Sequence, residues 1–312
     1  MEFVILPGTE ISVSRLGVGG CPLGGHGWGH TDEDRLLASL DRALEQGLNF
    51  FDTADVYGLG QSEGLLGRAL QGRRHRAVIA TKCGVRVENG HTFYDNSPEW
   101  IQYACEQSLR RLKTDYIDLY QLHYRDGRPL EAVLEVFSDL RRQGKIRYFG
   151  ISNVGPADLR DVDGFASLQN PYSLADRAGE AFLLEWAASG RIPITWGSLG
   201  QGILTGKYGP ASRFGSDDRR SREIYRNFHG EKLRKNLEIV EAMKPIAREH
   251  GVRLGAVAVR FILDWIPGSI ALCGVKAPDQ LLTDALGWQL THREIQILDD
   301  ISAEKEGKNL EK

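Results

Sequence analysis

Residues 16–25 read Leu-Gly-Val-Gly-Gly-Cys-Pro-Leu-Gly-Gly. Leu16 to Gly19 has the look of a first strand in an α/β protein, and the glycines that follow decide which kind. An open, doubly wound sheet would place a G-x-G-x-x-G phosphate turn here, with a helix starting on the glycines. Gly17-Val18-Gly19-Gly20 instead runs into Cys-Pro-Leu-Gly-Gly, and no helix opens on it. The Rossmann arrangement therefore does not fit, and another parallel architecture has to be sought in the flanking chain.

Upstream, Phe3 to Leu6 and Ile11 to Ser14 are short β-rich runs joined by Pro7-Gly8-Thr9-Glu10, which predicts a hairpin. Downstream, short apolar runs alternate with longer amphipathic ones. Strands are predicted at Asn49–Asp52, Ala77–Thr81, Ile117–Gln121, Arg147–Ser152, Ser167–Asn170, Ile192–Trp196 and Ser269–Gly274. The helices between them begin at an N-cap Thr31 (ending near Gly47), at Ser62-Glu63, at Ser97-Pro98, at Leu130 and at Pro156 (to about Val162). Others cover Gly179–Ser189, Glu231–His250, Leu254–Ile266 and Pro278–Leu286, and Gly197 to Phe228 is long and irregular. Counting from Leu16, eight strands each carry a helical segment behind them. Repeated β-α order implies parallel strands with right-handed crossovers, and eight units in about 300 residues predict a (β/α)8 TIM barrel. The N-terminal β-hairpin and long loops on the C-terminal face complete the expected fold. No Pro/Ser-rich linker divides the chain, so residues 1–312 are read as a single domain, with a charged, frayed tail from Ala303 to Lys312.

Composition narrows the function classes. Of 312 residues, 41% are apolar and 26% charged, and the net charge is −3. The arginine clusters at 73–76 and 219–222 are balanced by acidic residues, so no nucleic-acid partner is expected. Cys21, Cys83, Cys105 and Cys273 show no C-x-x-C spacing, which fits free thiols in a reducing compartment. The N-terminus lacks a basic n-region, and no apolar run approaches the ~18 residues of a membrane span. A cytoplasmic protein with a small-molecule substrate is expected, without a membrane or metal partner. His26 and His30 are four apart, but the glycines between them argue against a helical metal pair.

Barrel chemistry sits at the C-terminal strand ends. Strand two ends at Asp52 with Tyr57 five residues on, strand three at Lys82 and strand four at His123. Singly, the Asp reads as a turn residue, the Lys as a surface cation and the His as a bonded core residue. Together they bring a carboxylate, an ammonium, an imidazole and a phenol to one mouth. A cation held close to a phenol lowers its pKa from about 10, and Asp52 would balance Lys82. His123 would orient a substrate oxygen or help relay the proton. A tuned tyrosine suits protonation of a carbonyl oxygen, and the hydride has to come from a cofactor.

These residues resemble the aldo-keto reductase family over nearly the whole chain. The motifs are FFDTADVYGLGQSEGLLGRAL (50–70), ATKCG, DYIDLYQLH (115–123), GKIRYFGISN (144–153) and GQGILTGKY (200–208). The last also resembles the bacterial branches near the potassium-channel β subunits. The resemblance implies that Asp52, Tyr57, Lys82 and His123 form the catalytic tetrad, with Tyr57 as the general acid. It implies an extended NADP(H), favoured over NAD(H). Ser152, Asn153 and Gln169 would hold the nicotinamide carboxamide and Trp196 would stack on the ring, at a place where the family more often has Tyr. Gly20, Cys21, Gly197, Leu199, Gln201, Gly202 and Lys207 would follow the cofactor toward its pyrophosphate. Gly197-Ser198-Leu199 replaces the family's usual Ser-Pro-Leu. At the adenosine end Lys276 would meet a 2′-phosphate and Gln280 the ribose, while Thr283 and Asp284 stand in for a common Glu-Asn pair.

Mouth loops set specificity in this family. Here they are Gly24–His30, His91–Asn96, Tyr124–Arg128 and the Ala211–Phe228 segment, read as a solvated lid. Trp28, Tyr124 and Arg125 are expected to line a pocket for polar aldehydes or ketones, such as sugar-derived ones. The same apparatus would also serve an alcohol dehydrogenase, an oxidation-led lyase, or a slow cofactor-binding regulatory subunit.

Overall fold

The computed structural model describes residues 1–159 and 163–303. The N-terminal hairpin forms as expected, β1 (Phe3–Ile5) pairing antiparallel with β2 (Ser12–Ser14). Eight parallel strands then close a barrel: β3 (Leu16–Gly19), β4 (Phe50–Asp52), β5 (Val78–Cys83), β8 (Ile117–Leu122), β9 (Ile146–Ser152), β10 (Ser167–Pro171), β11 (Ile192–Trp196) and β12 (Ile270–Gly274). Neighbours in space follow chain order, and β12 pairs back onto β3. Between β5 and β8 lies a two-stranded excursion, β6 (Val85–Glu88) and β7 (His91–Tyr94).

Among the described residues, eight α-helices surround the barrel: α1 (Glu33–Glu45), α2 (Gln61–Ala69), α3 (Pro98–Leu112), α4 (Leu130–Arg142), α5 (Glu180–Ala188), α6 (Gly230–His250), α7 (Leu254–Trp265) and α8 (His292–Ser302). Their apolar faces pack on the outward residues of the strands, so the strands are covered on both sides and read as short apolar runs.

The inward positions follow the period of two. Phe50, Ala80, Leu119, Ile192, Ile194, Ile270 and Leu272 fill the lower barrel, and Leu6, Ile11 and Val13 of the hairpin side pack beneath them. Gly17 belongs to the same layer; a Cβ there would stand 2.7 Å from Leu272 Cδ2 and 2.8 Å from Phe50 Cδ1. The glycines of the opening stretch thus make room for barrel filling rather than for a phosphate. Two residues further along the same strands the inward positions become polar: Asp52 on β4, Lys82 on β5, Gln121 on β8.

Several expectations are corrected. The cap of α1 is Asp32, not Thr31; its extended backbone lets the carboxylate accept from Arg35 N at 3.0 Å. The segment from Pro156 forms a 3₁₀ turn to Leu159, and its expected continuation to Val162 lies outside the described residues. Pro278–Leu286 is not a helix but two 3₁₀ turns, Pro278–Gln280 and Thr283–Ala285. The Arg253 guanidinium takes the carbonyls of Asp279 and Leu281, which a helix there would have used for itself. The helix behind β12 is instead α8, entered through a Thr291–Glu294 capping box. His91–Asn96 is largely β7, reached through Asn89 and Gly90, both at positive φ. The expected frayed tail beyond Ala303 lies outside the described residues. Among the described residues no helix is long and apolar enough to cross a membrane.

Candidate active site

The structure brings Asp52, Tyr57, Lys82 and His123 together above the apolar barrel filling. Lys82 Nζ donates to Asp52 Oδ1 at 2.6 Å and to Thr53 O at 2.9 Å. The second carboxylate oxygen accepts from Gln169 Nε2 at 2.7 Å and from Gln121 Nε2 at 3.3 Å. A buried ion pair is tolerated only when its remaining hydrogen-bonding capacity is met, and these amides meet it.

Tyr57 is delivered by the turn between β4 and α2. Gly58 sits at φ 60, and a Cβ on it would stand 2.2 Å from Gly24 O, so the turn can press against the Gly24 backbone only with glycine at this place. Ser62 Oγ donates to Gly20 O at 2.8 Å, and Gly20 N donates to Asp52 O at 2.6 Å, tying the two loops together. The Tyr57 ring then lies 5.1 Å from Lys82 Nζ and edge-on to His123, centroids 5.8 Å apart.

The electrostatics depart from the sequence expectation at one point. Burial pushes the Tyr57 phenol well above 10, and Cys21, Asp52 and Tyr124 add to this. The Arg219 charge acts in the opposite direction and lowers it. Burial, then the Lys82 charge, hold His123 well below 6.5, so its ring is neutral at pH 7. His123 Nδ1 is buried without a hydrogen-bond partner among the described residues.

Around this centre, Ser152 Oγ donates to Gln169 O at 2.8 Å, and Asn153, at φ 57, donates to His123 O at 3.0 Å. Trp196 Nε1 donates to Asn153 Oδ1 at 3.2 Å, so Ser152, Asn153, Gln169 and Trp196 do converge. Gln169 differs from expectation in spending its Nε2 on Asp52. Gly197, Gly200, Gln201 and Gly202 all have positive φ. Asn227 Nδ2 donates to Gln201 Oε1, while Leu199 packs on the core and Lys207 is exposed.

Lys276 Nζ donates to Trp28 O at 2.6 Å, and Gln280 Oε1 accepts from Lys276 N at 2.9 Å. Asp284 is taken up by Arg253, whose Nε donates to Oδ2 at 2.9 Å. Trp28 Nε1 donates to Cys21 Sγ at 3.2 Å. Tyr124 stacks on His123 and on Tyr94, each at 5.0 Å. Arg125 is not available to the mouth: Asp158 holds its guanidinium, which also donates to Arg128 O.

Sequence reasoning missed Gln121, Tyr94, Arg219 and Arg253. Gln121 was within reach, being two residues before His123 on one strand and hence on the same face. Tyr94 depended on recognising the Asn-Gly hairpin.

A model of the aldo/keto reductase family matches residues 15–303. This chain belongs to the aldo/keto reductase family. It is 37% identical over 300 residues to the aldo-keto reductase YhdN of Bacillus subtilis, covering 93% of this chain and 90% of that one. It is 30% identical to an NADH-specific methylglyoxal reductase of Escherichia coli, over 90% of this chain and 91% of that one. The solved glycerol dehydrogenase AKR11B4 of Gluconobacter oxydans superposes with a TM-score of 0.87 at 35% identity, covering 96% of this chain and 94% of that chain. As a member of this family the chain is an oxidoreductase of the kind that uses a nicotinamide cofactor and small carbonyl substrates.

Proposed function

We propose that this chain reduces an aldehyde or ketone to an alcohol with NADPH, and that Tyr57 gives the carbonyl oxygen its proton. The observation that carries this reading is the convergence of Tyr57, Lys82 and His123 on one mouth, with Asp52 locking Lys82 from below. A nicotinamide cofactor fits the residues present. Ser152, Asn153 and Trp196 offer polar groups and an indole beside the tetrad, with Gly20 and Cys21 at the facing loop. Gly197, Gly200, Gln201 and Gly202, all at positive φ, would follow the diphosphate beside Leu199. Lys207 and Lys276 lie beyond these residues, the latter near Gln280 and Asp284. A relative named NADH-specific shows that the choice between the two cofactors has to be argued from this chain's own residues. Lys276 at the adenosine end, with Asp284 neutralised by Arg253, favours NADP(H).

When bound, the nicotinamide supplies the hydride for the carbonyl carbon. The raised phenol pKa keeps Tyr57 protonated through neutral pH, so the proton is in place for the oxygen as charge builds on it. His123, neutral at pH 7 and edge-on to the Tyr57 ring, would orient the same oxygen. The phenolate left behind is stabilised by the Lys82 ammonium over its ring. Asp52 holds that ammonium in place.

The test is NADPH oxidation with 4-nitrobenzaldehyde by the native protein and by Tyr57→Phe. Loss of ~10²–10⁴-fold in the variant, with cofactor binding retained, is the expected result. Tight NADPH binding without turnover in the native protein would replace this reading by that of a regulatory subunit.

A further inference from the structure

The segment between β11 and α6 presents two adjacent arginines in opposite ways. Arg220 is spent on the fold. It donates to Asp218 from Nε at 2.9 Å and from a terminal nitrogen at 2.5 Å, bonds the Tyr208 hydroxyl at 2.5 Å, and lies among Tyr208, Phe214 and Phe228. Arg219 is not. Its backbone N donates to Gly27 O at 3.0 Å, beside a bridge between Trp28 and Asp218, so the segment is fastened to the first mouth loop. The side chain then lies across Gly27, where a Cβ would stand 2.3 Å from Arg219 Nε and 2.6 Å from Cγ. The guanidinium carbon lies 5.6 Å from the Trp28 ring, whose Nε1 bonds Cys21. Its charge is felt at both the Tyr57 phenol and the Cys21 thiol. Among the described residues no carboxylate pairs with it, while Arg125, on the other side of the mouth, is held by Asp158.

We infer that Arg219 binds an oxyanion substituent of the substrate, a carboxylate or a phosphate, and so selects anionic carbonyl compounds. This rests on the reductase reading above and deepens it. A guanidinium presents a planar fork that matches either group with two parallel hydrogen bonds, and a site with one unneutralised cation favours a charge of opposite sign. Glycine at position 27 is what lets the stem reach over the loop; any larger side chain would displace it.

The experiment compares two pairs of substrates with NADPH: 4-carboxybenzaldehyde against 4-formylbenzamide, and glyceraldehyde 3-phosphate against glyceraldehyde. In the wild type kcat/KM is expected to favour the anionic member of at least one pair by roughly 10- to 100-fold, mainly through KM, and the pair that responds identifies the anion. The preference should shrink as salt is raised. Arg219→Met should bring the ratio to near one, and Arg219→Lys, which keeps the charge without the fork, should retain part of it. A wild-type ratio near one in both pairs overturns the proposal without any variant. So does a ratio kept in Arg219→Met, including the case in which that variant mainly weakens NADPH binding, since the guanidinium would then serve the cofactor. Absence of turnover with all four compounds is a different failure, which removes the reductase reading and this one with it.

Discussion

Lys82 Nζ and Asp52 Oδ1 stand 2.6 Å apart in the barrel, the lysine side chain 0% and the aspartate 4% exposed. A pair brought so far out of water needs further partners, and each member has them, Lys82 in Thr53 O and Asp52 in two amides. Removing one partner leaves the other unmatched. Lys82→Met is therefore expected to lose about 3–5 kcal/mol of stability by urea unfolding. The double variant Asp52→Asn/Lys82→Met should recover most of that loss while turnover stays abolished. A double variant no more stable than the single one would mean that packing, not charge, set the cost.

The second prediction concerns acid. His123 is held neutral in the fold by burial and by Lys82, below its ordinary 6.5. Under that pH the unfolded chain takes up a proton that the folded state refuses, so stability falls as pH falls, by up to about 1.4 kcal/mol per unit. His123→Asn should flatten this limb. Unfolding free energies of the two proteins at pH 7.5, 6.0 and 5.0 should draw together toward low pH. Parallel curves would show that His123 is protonated in the fold.

Asp55 should behave with the opposite sign. Burial and then Glu63 push its carboxyl well above 3.8, and its Oδ1 is buried without a hydrogen-bond partner among the described residues. Above pH 3.8 the unfolded chain has released a proton that the folded state still holds, so this group costs stability as pH rises toward its folded value. Asp55→Asn removes that cost. Its melting temperature should exceed the wild type's by more at pH 8 than at pH 4.5. An equal or negative difference at both pH values would mean that the carboxylate is ionised and usefully solvated.

The barrel and the tetrad could be read from the chain because both are local. An apolar run that ends in a polar residue marks a strand end, and Asp52, Lys82 and His123 each follow that form. Other features depend on partners distant in sequence. Nothing around Pro278–Leu286 announces that Arg253, some 25 residues earlier, will take its carbonyls and prevent a helix. The Tyr57 phenol likewise depends on distant partners: burial, with Cys21, Asp52 and Tyr124, raises its pKa. Arg219 reads as one more solvated arginine until Gly27 and Trp28 are seen beneath it. The β6–β7 hairpin is different, since Asn89-Gly90 between two alternating runs was a local signal that went unused.

The last prediction addresses cofactor choice at Lys276. Burial lowers the pKa of its ammonium, and the charges of Arg220 and Lys207 add to this against Asp218. A cation crowded by like charges gains on meeting a phosphate, and its bond to Trp28 O holds it at the loop beside the proposed diphosphate site. Loss of one charge-assisted hydrogen bond, worth about 1.5–3 kcal/mol, corresponds to roughly 10- to 150-fold in affinity. Lys276→Ala should weaken NADPH by that factor in a fluorescence titration and NADH by far less, because only NADPH carries the 2′-phosphate. If both cofactors weaken equally, Lys276 serves the diphosphate they share, and any preference for NADPH must come from another residue.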